Sequence, residues 1–206
     1  KVQESPGNLA AAGMPGDSCT FSLTFDTTAD ASSGAYPVVA NGTATTDGQS
    51  QAINTASASI VVTPIPELSK DFTNDPVAPG DSVTLEYKLN YSADAAGPAT
   101  NISFTDDLNT TLTGLIANLP VLPDPPCGAG SSLTGSAGDT LLTLMGGSLA
   151  PGESCTFSVT LDVPAAAAPG TVPSITSGVT ATVGGLPVTG AAAASDLVVA
   201  GITFES

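Results

Sequence analysis

Apolar and polar residues alternate along most of this chain. Between Cys155 and Val163 every second residue is apolar, and the residues in between are Thr, Ser or Asp. The stretch from Val83 to Tyr91 has the same pattern. An alternation with a period of two predicts strands that bury one face, whereas the 3.6-residue apolar period of helices is nearly absent. We therefore expect an all-β protein.

Short turn sequences separate these strands. "APGD" occupies 78–81, "APGE" occupies 150–153 and "APGT" occupies 168–171. Pro presets the backbone angle of a turn, and Gly adopts the left-handed angles that many turns require. Many short strands separated by such turns are typical of a β-sandwich.

The sequence also repeats itself. Residues 16–25 ("GDSCTFSLTF") and 152–161 ("GESCTFSVTL") are identical at seven of ten positions. The turn sequence at 45–50 recurs at 182–187, and the apolar stretch at 58–62 recurs near the end of the chain. All three pairs are about 137 residues apart, which indicates a tandem repeat of that length.

The repeat defines the expected domains. We predict that residues 1–64 are the C-terminal half of one repeat and that residues 65–201 are a complete repeat. Residues 202–206 would then be the first strand of a following repeat. The alternative is a single two-domain protein whose first domain is degenerate.

The cysteines follow the same arrangement. Cys127 and Cys155 both lie in the complete repeat, and we predict a disulfide between them. Cys19 corresponds to Cys155, so its partner is expected upstream, outside this chain. A metal site is the weaker alternative, because the sequence has no His and no C-x-x-C motif. A disulfide indicates an oxidising, extracytoplasmic setting.

Charge and composition narrow the classes of function. The chain has 3 Lys and Arg against 19 Asp and Glu, a net charge of −16. This argues against nucleic acid and anionic membranes as partners, and no apolar run approaches the ~20 residues of a membrane span. Without His, neither a Ser-His-Asp nor a Cys-His system can form. We therefore expect no enzyme.

The acidic residues offer one candidate for cofactor binding. Calcium prefers carboxylate and carbonyl oxygens, and extracellular modules use it to stiffen joints. The alternative is solvated turn residues that hydrogen-bond to their own backbone. The candidate ligands fall in "KDFTNDP" and "FTDDL"; they are Asp71, Asn74, Asp75, Asp106 and Asp107.

Several longer stretches resemble a known class of domains. "ELSKDFTNDPVAPGDSVTLEYKLNYS", "ATNISFTDDL" and "LTLMGGSLAPGESCTFSVTLDVPAAAAPG" are similar to immunoglobulin-like (Ig-like) repeats of large bacterial cell-surface and adhesin-like proteins. These belong to the DUF11-like conserved repeat domains of unknown function. The resemblance covers residues 65–201 and, for its second half, residues 14–64. It implies Ig-like β-sandwiches in tandem, secretion and a role in a stalk or fibre, with no catalytic activity.

Such surface domains sometimes carry covalent modifications. An isopeptide bond would join Lys70, in the first strand of the complete repeat, to Asp196 in the last strand; the alternative is a strand-edge Lys that opposes aggregation. Four sequons add candidate glycosylation sites. These are Asn41, Asn90, Asn101 and Asn109.

The expected function is a structural component of an extracellular fibre, stalk or sheath, whose partners are neighbouring repeats or copies of itself. One alternative is an adhesin module that binds a glycan or a protein, for which a groove lined by Tyr36, Tyr87 or Tyr91 would be the expected feature. Another is a fibre subunit that polymerises by β-strand complementation, with "ITFES" as the donated strand.

Overall fold

Two antiparallel β-sheets pack face to face between residues 67 and 199. The computed structural model describes residues 34–135 and 137–201, together with residues 14, 22 and 24. The chain divides into two units, Lys1–Ala31 and Ser32–Ser206, and all described strands lie in the second. Cys19 and the predicted strand at 202–206 lie outside the described residues.

The sandwich has a four-stranded and a five-stranded sheet. The smaller sheet has the order β5-β6-β11-β8 and the larger one the order β13-β12-β7-β10-β9. The strands of the smaller sheet are β5 (Glu67–Phe72), β6 (Ser82–Asn90), β8 (Ile116–Leu122) and β11 (Ser154–Asp162). Those of the larger sheet are β7 (Ala99–Asp107), β9 (Ser132–Thr134), β10 (Leu141–Leu149), β12 (Gly170–Val183) and β13 (Leu186–Val199).

The alternation of apolar residues determines which face of each strand is buried. In β6, every second residue from Val83 to Leu89 is fully buried, and Tyr91 continues this row. In β11, Phe157, Val159 and Leu161 are buried in the same way. The prediction of half-buried antiparallel strands is thus confirmed, and burial of these side chains is the main stabilising contribution to the fold.

Three aromatic rings occupy the centre of the core. The ring centroids of Tyr87 on β6 and Phe157 on β11 are 5.2 Å apart, and the Tyr87 and Phe104 centroids are also 5.2 Å apart. Phe104 belongs to β7 in the opposite sheet. These contacts connect the two sheets directly and lie within the distances favoured by aromatic pairs.

The first segment of the sandwich contacts both sheets. After β5 ends, Val77 forms an isolated parallel bridge with Val199 of β13. The Val77 N–H donates to the Val198 carbonyl at 2.9 Å, and the Ala200 N–H donates to the Val77 carbonyl at 2.8 Å. The first and last segments of the sandwich therefore run side by side in the same direction.

One short helix was not predicted. Helix α1 (Leu108–Thr111) is a single turn directly after β7, and the carboxylate of Asp107 accepts a hydrogen bond from the Asn109 N–H at 3.1 Å. This capping contact satisfies a backbone donor at the start of the turn. A four-residue turn is too short to produce an apolar period in the sequence.

The second half of the sandwich has a counterpart earlier in the chain. Strand β1 (Gly34–Ala40) pairs with β4 (Ala56–Val62), and β2 (Thr43–Thr46) pairs with β3 (Gln49–Ala52). The ladder joins Gly34 to Val62, just as Gly170 is joined to Val199 in the complete sandwich. The two segments therefore share this antiparallel pairing, while the predicted division into repeats stays a prediction. The predicted boundary at residue 64 stays a prediction.

The turns of the two hairpins are also alike. Asp47 and Gly48 have φ angles of 53° and 75°, and Gly184 and Gly185 have φ angles of 58° and 80°. Two successive positive φ values define the type I′ turn that suits the twist of a hairpin.

Replacing Gly185 by Val is expected to lower the free energy of unfolding by about 1–2 kcal/mol, because a β-branched residue is strained at positive φ. No atom lies within 4 Å of a Cβ built at Gly185, so the cost comes from the backbone angle alone. Gly185→Asn is the matched control and should cost less, since Asn tolerates this angle. Equal losses in denaturant titrations of the two variants would contradict this explanation.

Candidate functional site

A cluster of polar side chains is buried between the two sheets. Alternation along β5 directs Lys70 inward beside Phe72, and alternation along β7 directs Asp106 inward in line with Ile102 and Phe104. We call this set of residues the polar cluster. Its members are Lys70, Tyr87, Asp106, Thr111 and Ser174.

Hydrogen bonds link the members of the polar cluster. The Nζ of Lys70 lies 2.5 Å from Oδ2 of Asp106 and 2.6 Å from Oγ of Ser174. The Tyr87 hydroxyl donates to the same Oδ2 at 2.6 Å. The Thr111 hydroxyl donates to Oγ of Ser174 at 2.7 Å. The side chains of Lys70 and Asp106 are both 0% exposed, so this ion pair has no contact with solvent.

One atom of the polar cluster is left unpaired. The other carboxylate oxygen of Asp106, Oδ1, is buried and has no hydrogen-bond partner within the part of the chain that the structure describes. Leaving a buried acceptor unsatisfied costs about 1–3 kcal/mol, and more for a charged group. An exception of this kind calls for an explanation.

Burial controls the electrostatics of the polar cluster. Desolvation lowers the pKa of the Lys70 amine, and this effect outweighs the charge and hydrogen bond of Asp106, which act in the opposite direction. Desolvation also raises the pKa of Tyr87 well above its usual value, with the charge and hydrogen bond of Asp106 adding to the shift. Burial therefore favours a neutral amine and a neutral phenol.

The raised pKa of Tyr87 predicts a dependence of stability on alkaline pH. Above about pH 10 the unfolded chain releases this phenolic proton while the folded chain retains it, so the free energy of unfolding falls as the pH rises. Tyr87→Phe removes this contribution and should give a flatter decline. Urea titrations between pH 8 and about pH 11 measure both slopes. If the free energies of unfolding of the wild type and Tyr87→Phe fall with pH at the same rate, Tyr87 is not the cause of the decline.

A disulfide joins the two predicted cysteines. Cys127, in the loop between β8 and β9, is bonded to Cys155 on β11, with a Cα–Cα distance of 5.4 Å. The Cys127 N–H donates to the Ser131 hydroxyl at 2.8 Å, and its carbonyl accepts from the Ser148 N–H at 3.1 Å. The disulfide therefore ties a loop held against β10 to a strand of the other sheet.

The candidate calcium ligands form hydrogen bonds within the chain, and calcium binding stays a prediction. Asp75 Oδ2 accepts from the Val198 N–H at 2.8 Å, and Asp71 Oδ1 accepts from the Ser195 hydroxyl at 3.3 Å. Asn74 accepts from the Thr84 N–H at 2.6 Å. Asp107 caps helix α1, while Asp106 faces the core. Among the described residues no group of three or more His, Cys, Asp or Glu is placed to hold a metal ion.

Lys70 contacts Asp106 in the structure and not Asp196, its predicted isopeptide partner. Asp196 is exposed and lies opposite Pro173 in the ladder, whereas its neighbour Leu197 is fully buried. Because successive side chains of a strand point to opposite faces, Asp196 is directed away from the core that contains Lys70. The fold brings Lys70 to Asp106 and Ser174 instead.

The tyrosines of the predicted groove and the asparagines of the sequons differ in their solvent exposure. Tyr87 and Tyr91 are buried, so neither can line an open groove, and Tyr36 lies on β1. Of the four sequon residues, Asn90 is half-buried and the others are exposed; the exposed ones are Asn41, Asn101 and Asn109. Glycosylation of these sites stays a prediction.

The sequence contained a signal for the polar cluster that pattern reading missed. Asp106 continues an apolar row through Ile102 and Phe104, and Lys70 stands between Leu68 and Phe72 in a similar row. Opposite charges on inward faces of two strands indicate a buried ion pair, because isolated buried charges are very costly. Ser174 and Thr111 offered no comparable signal.

Comparison with known protein families gives one match. A family described as a domain of unknown function (DUF7933) matches residues 66–199. This family, rather than the DUF11-like one that the motifs resemble, is the one that matches. No curated protein sequence matches the chain. No helix in the described part of the chain has the length and apolar character needed to cross a membrane.

Comparison with solved structures finds surface proteins that have low sequence identity to this chain and TM-scores below 0.5. The major pilin subunit BcpA of Bacillus cereus has a TM-score of 0.45 at 10% identity, covering 71% of this chain and 50% of the pilin chain. The C-terminal domain of the Streptococcus pyogenes antigen I/II-family protein AspA has a TM-score of 0.40 at 14% identity, covering 78% and 54%. The seventh ScaB type I cohesin of Pseudobacteroides cellulosolvens has a TM-score of 0.44 at 10% identity, covering 68% and 97%.

Proposed function

We propose that this chain, which belongs to the DUF7933 family, is a structural module of an extracellular fibre, stalk or sheath built from tandem Ig-like domains. The observation that carries the proposal is the repeated hairpin, whose ladder joins Gly34 to Val62 in one copy and Gly170 to Val199 in the next. A protein that repeats one sandwich along its length gains reach and stiffness rather than a catalytic centre.

The connection between the copies supports the same role. Strand β4 ends at Val62 and β5 begins at Glu67, so only residues 63–66 separate the hairpin from the complete sandwich. Pro64 and Pro66 restrict the backbone of this short segment. Such a connection favours an array in which neighbouring repeats are the main partners.

The strand arrangement suits a module that is pulled along its length. Val77 pairs in parallel with Val199, at the first and last segments of the sandwich. Tension applied to the two ends of the repeat would shear these segments past one another, so that their hydrogen bonds resist together. The disulfide between Cys127 and Cys155 would keep the enclosed loop from extending.

Binding of a glycan or a protein is the alternative function within the same class of surface proteins. Such binding would use the outer face of the five-stranded sheet, where Leu141, Met145 and Ile175 are 50%, 47% and 60% exposed. Polymerisation by strand complementation would depend on residues 202–206, which lie outside the described residues.

Immunoelectron microscopy tests the proposed function. Antibodies raised against residues 66–199 are expected to label fibres, stalks or a sheath on unpermeabilised source cells. The intact mass of the native protein should also be many times the 20.0 kDa of this chain. Labelling confined to the cell interior would overturn the proposal, and labelling of soluble secreted protein of about this mass would do so as well.

A further inference from the structure

The ion pair in the polar cluster contains every atom needed for a covalent bond. An amine and a carboxyl group are in direct contact, with 2.5 Å between Lys70 Nζ and Asp106 Oδ2, and both side chains are 0% exposed. We propose that the folded protein joins Lys70 and Asp106 through an intramolecular amide bond. The proposal is independent of the fibre role, because it concerns the chemistry of one sandwich.

The reaction balances without any co-reactant. One proton passes from the Lys70 ammonium to the Asp106 carboxylate, which leaves a neutral amine beside a carboxylic acid. The Nζ lone pair then attacks Cγ of Asp106, the Cγ–Oδ1 bond breaks, and a second proton from the nitrogen leaves with that oxygen. The products are one amide and one water, so no oxidant, metal or nucleotide is consumed.

The surroundings of the pair favour each part of this step. Desolvation lowers the pKa of Lys70 and so favours the neutral, nucleophilic amine. The Tyr87 hydroxyl donates to Oδ2 at 2.6 Å and would stabilise negative charge that develops there during attack. Ser174 accepts a hydrogen bond from Nζ at 2.6 Å and holds the amine in place. Burial also penalises the separated ions relative to a neutral amide.

The unpaired oxygen is explained by the same proposal. Oδ1 of Asp106 is buried with no hydrogen-bond partner among the described residues, whereas Oδ2 receives bonds from both Lys70 and Tyr87. As part of a permanent ion pair, Oδ1 would remain an unsatisfied, charged acceptor. As the leaving oxygen, it departs as water and the unsatisfied atom disappears.

The bond would alter how the sandwich responds to force. Lys70 lies on β5 at the start of the repeat, and Asp106 lies on β7 in the opposite sheet. An amide between them would carry tension from one strand to the other directly. Residues 71–105 would then be bypassed and could not extend.

Tryptic digestion of the reduced, denatured full chain tests the proposal. The chain has three sites for trypsin, at Lys1, Lys70 and Lys88. An amide at Lys70 blocks cleavage there, so peptide 71–88 should be absent. One branched species should appear, in which 2–88 is joined to 89–206 with a mass about 18 Da below the sum of the two. This branched species has the same mass as uncleaved 2–206, so N-terminal sequencing identifies it: Val2 and Leu89 should both appear as N-termini, which also shows that cleavage after Lys88 is complete. The undigested chain should weigh about 18 Da less than its sequence mass.

Lys70→Arg is the matched variant. It keeps a cation and a trypsin site at position 70 but has no amine that can form this amide, so peptide 71–88 should be released at its sequence mass. The digest needs no folded protein, so the control holds even where this variant folds poorly. Release of an unmodified peptide 71–88 from the wild-type chain would overturn the proposal and leave a simple ion pair.

Discussion

Replacing Asp106 by Ala is expected to lower the free energy of unfolding by about 3–5 kcal/mol, since the Lys70 amine would lose its carboxylate partner inside the core. The effect is large because both side chains are 0% exposed and no solvent can replace the lost contact. Tyr87 would lose the acceptor of its hydroxyl at the same time. Urea titration monitored by circular dichroism measures the change.

The adjacent residue provides a matched control. Asp107 is exposed and caps helix α1, so Asp107→Ala should cost only about 1 kcal/mol, the usual value of a lost cap. A double variant, Lys70→Met with Asp106→Leu, removes both charges and should recover much of the loss if the pair is purely ionic. If an amide joins the pair, the double variant stays well below wild type. Equal losses for Asp106→Ala and Asp107→Ala would contradict the importance of the polar cluster.

Removing the disulfide by Cys127→Ala with Cys155→Ala is expected to lower the free energy of unfolding by about 3–4 kcal/mol, because the unfolded chain gains the entropy of an open loop. The two cysteines are 28 residues apart in the sequence. Alanine is chosen because Cys127 is fully buried and a serine hydroxyl would need a partner there. Thermal or urea unfolding of the variant and the wild type measures the difference.

Chemical reduction supplies the control for this prediction. A thiol reductant should shift the unfolding midpoint of the wild-type protein towards that of the variant and leave the variant unchanged. A variant that unfolds at the wild-type midpoint would mean that the loop stays ordered in the unfolded chain and that the disulfide adds little.

The alternation of side chains was sufficient to predict the strands that form the core. The inward rows from Val83 to Tyr91 and from Phe157 to Val163 are buried as their spacing predicts, because a strand that covers a core must place its apolar residues at every second position. The repeat could also be predicted from the sequence, since identical residues and similar turn sequences recur about 137 residues apart.

The acidic residues were harder to interpret from the sequence. Asp71, Asn74 and Asp75 are adjacent in the chain, yet they bond to Ser195, Thr84 and Val198, as many as 124 residues away. A cluster of oxygen donors along the chain resembles a calcium site whenever their partners are unknown. The positions of β6 and β13 beside the first segment of the sandwich determine which protein donors these oxygens accept hydrogen bonds from.

The sequence by itself determined the all-β class, the repeat of about 137 residues and the inward rows, because these follow from local periodicity and self-similarity. The tertiary structure alone decided which partner Lys70 meets. Asp196 faces outward, whereas Asp106 shares the interior with Tyr87 and Ser174. The reason is physical: a buried charge takes the opposite charge that packing places within reach, and packing across two sheets depends on contacts between distant strands.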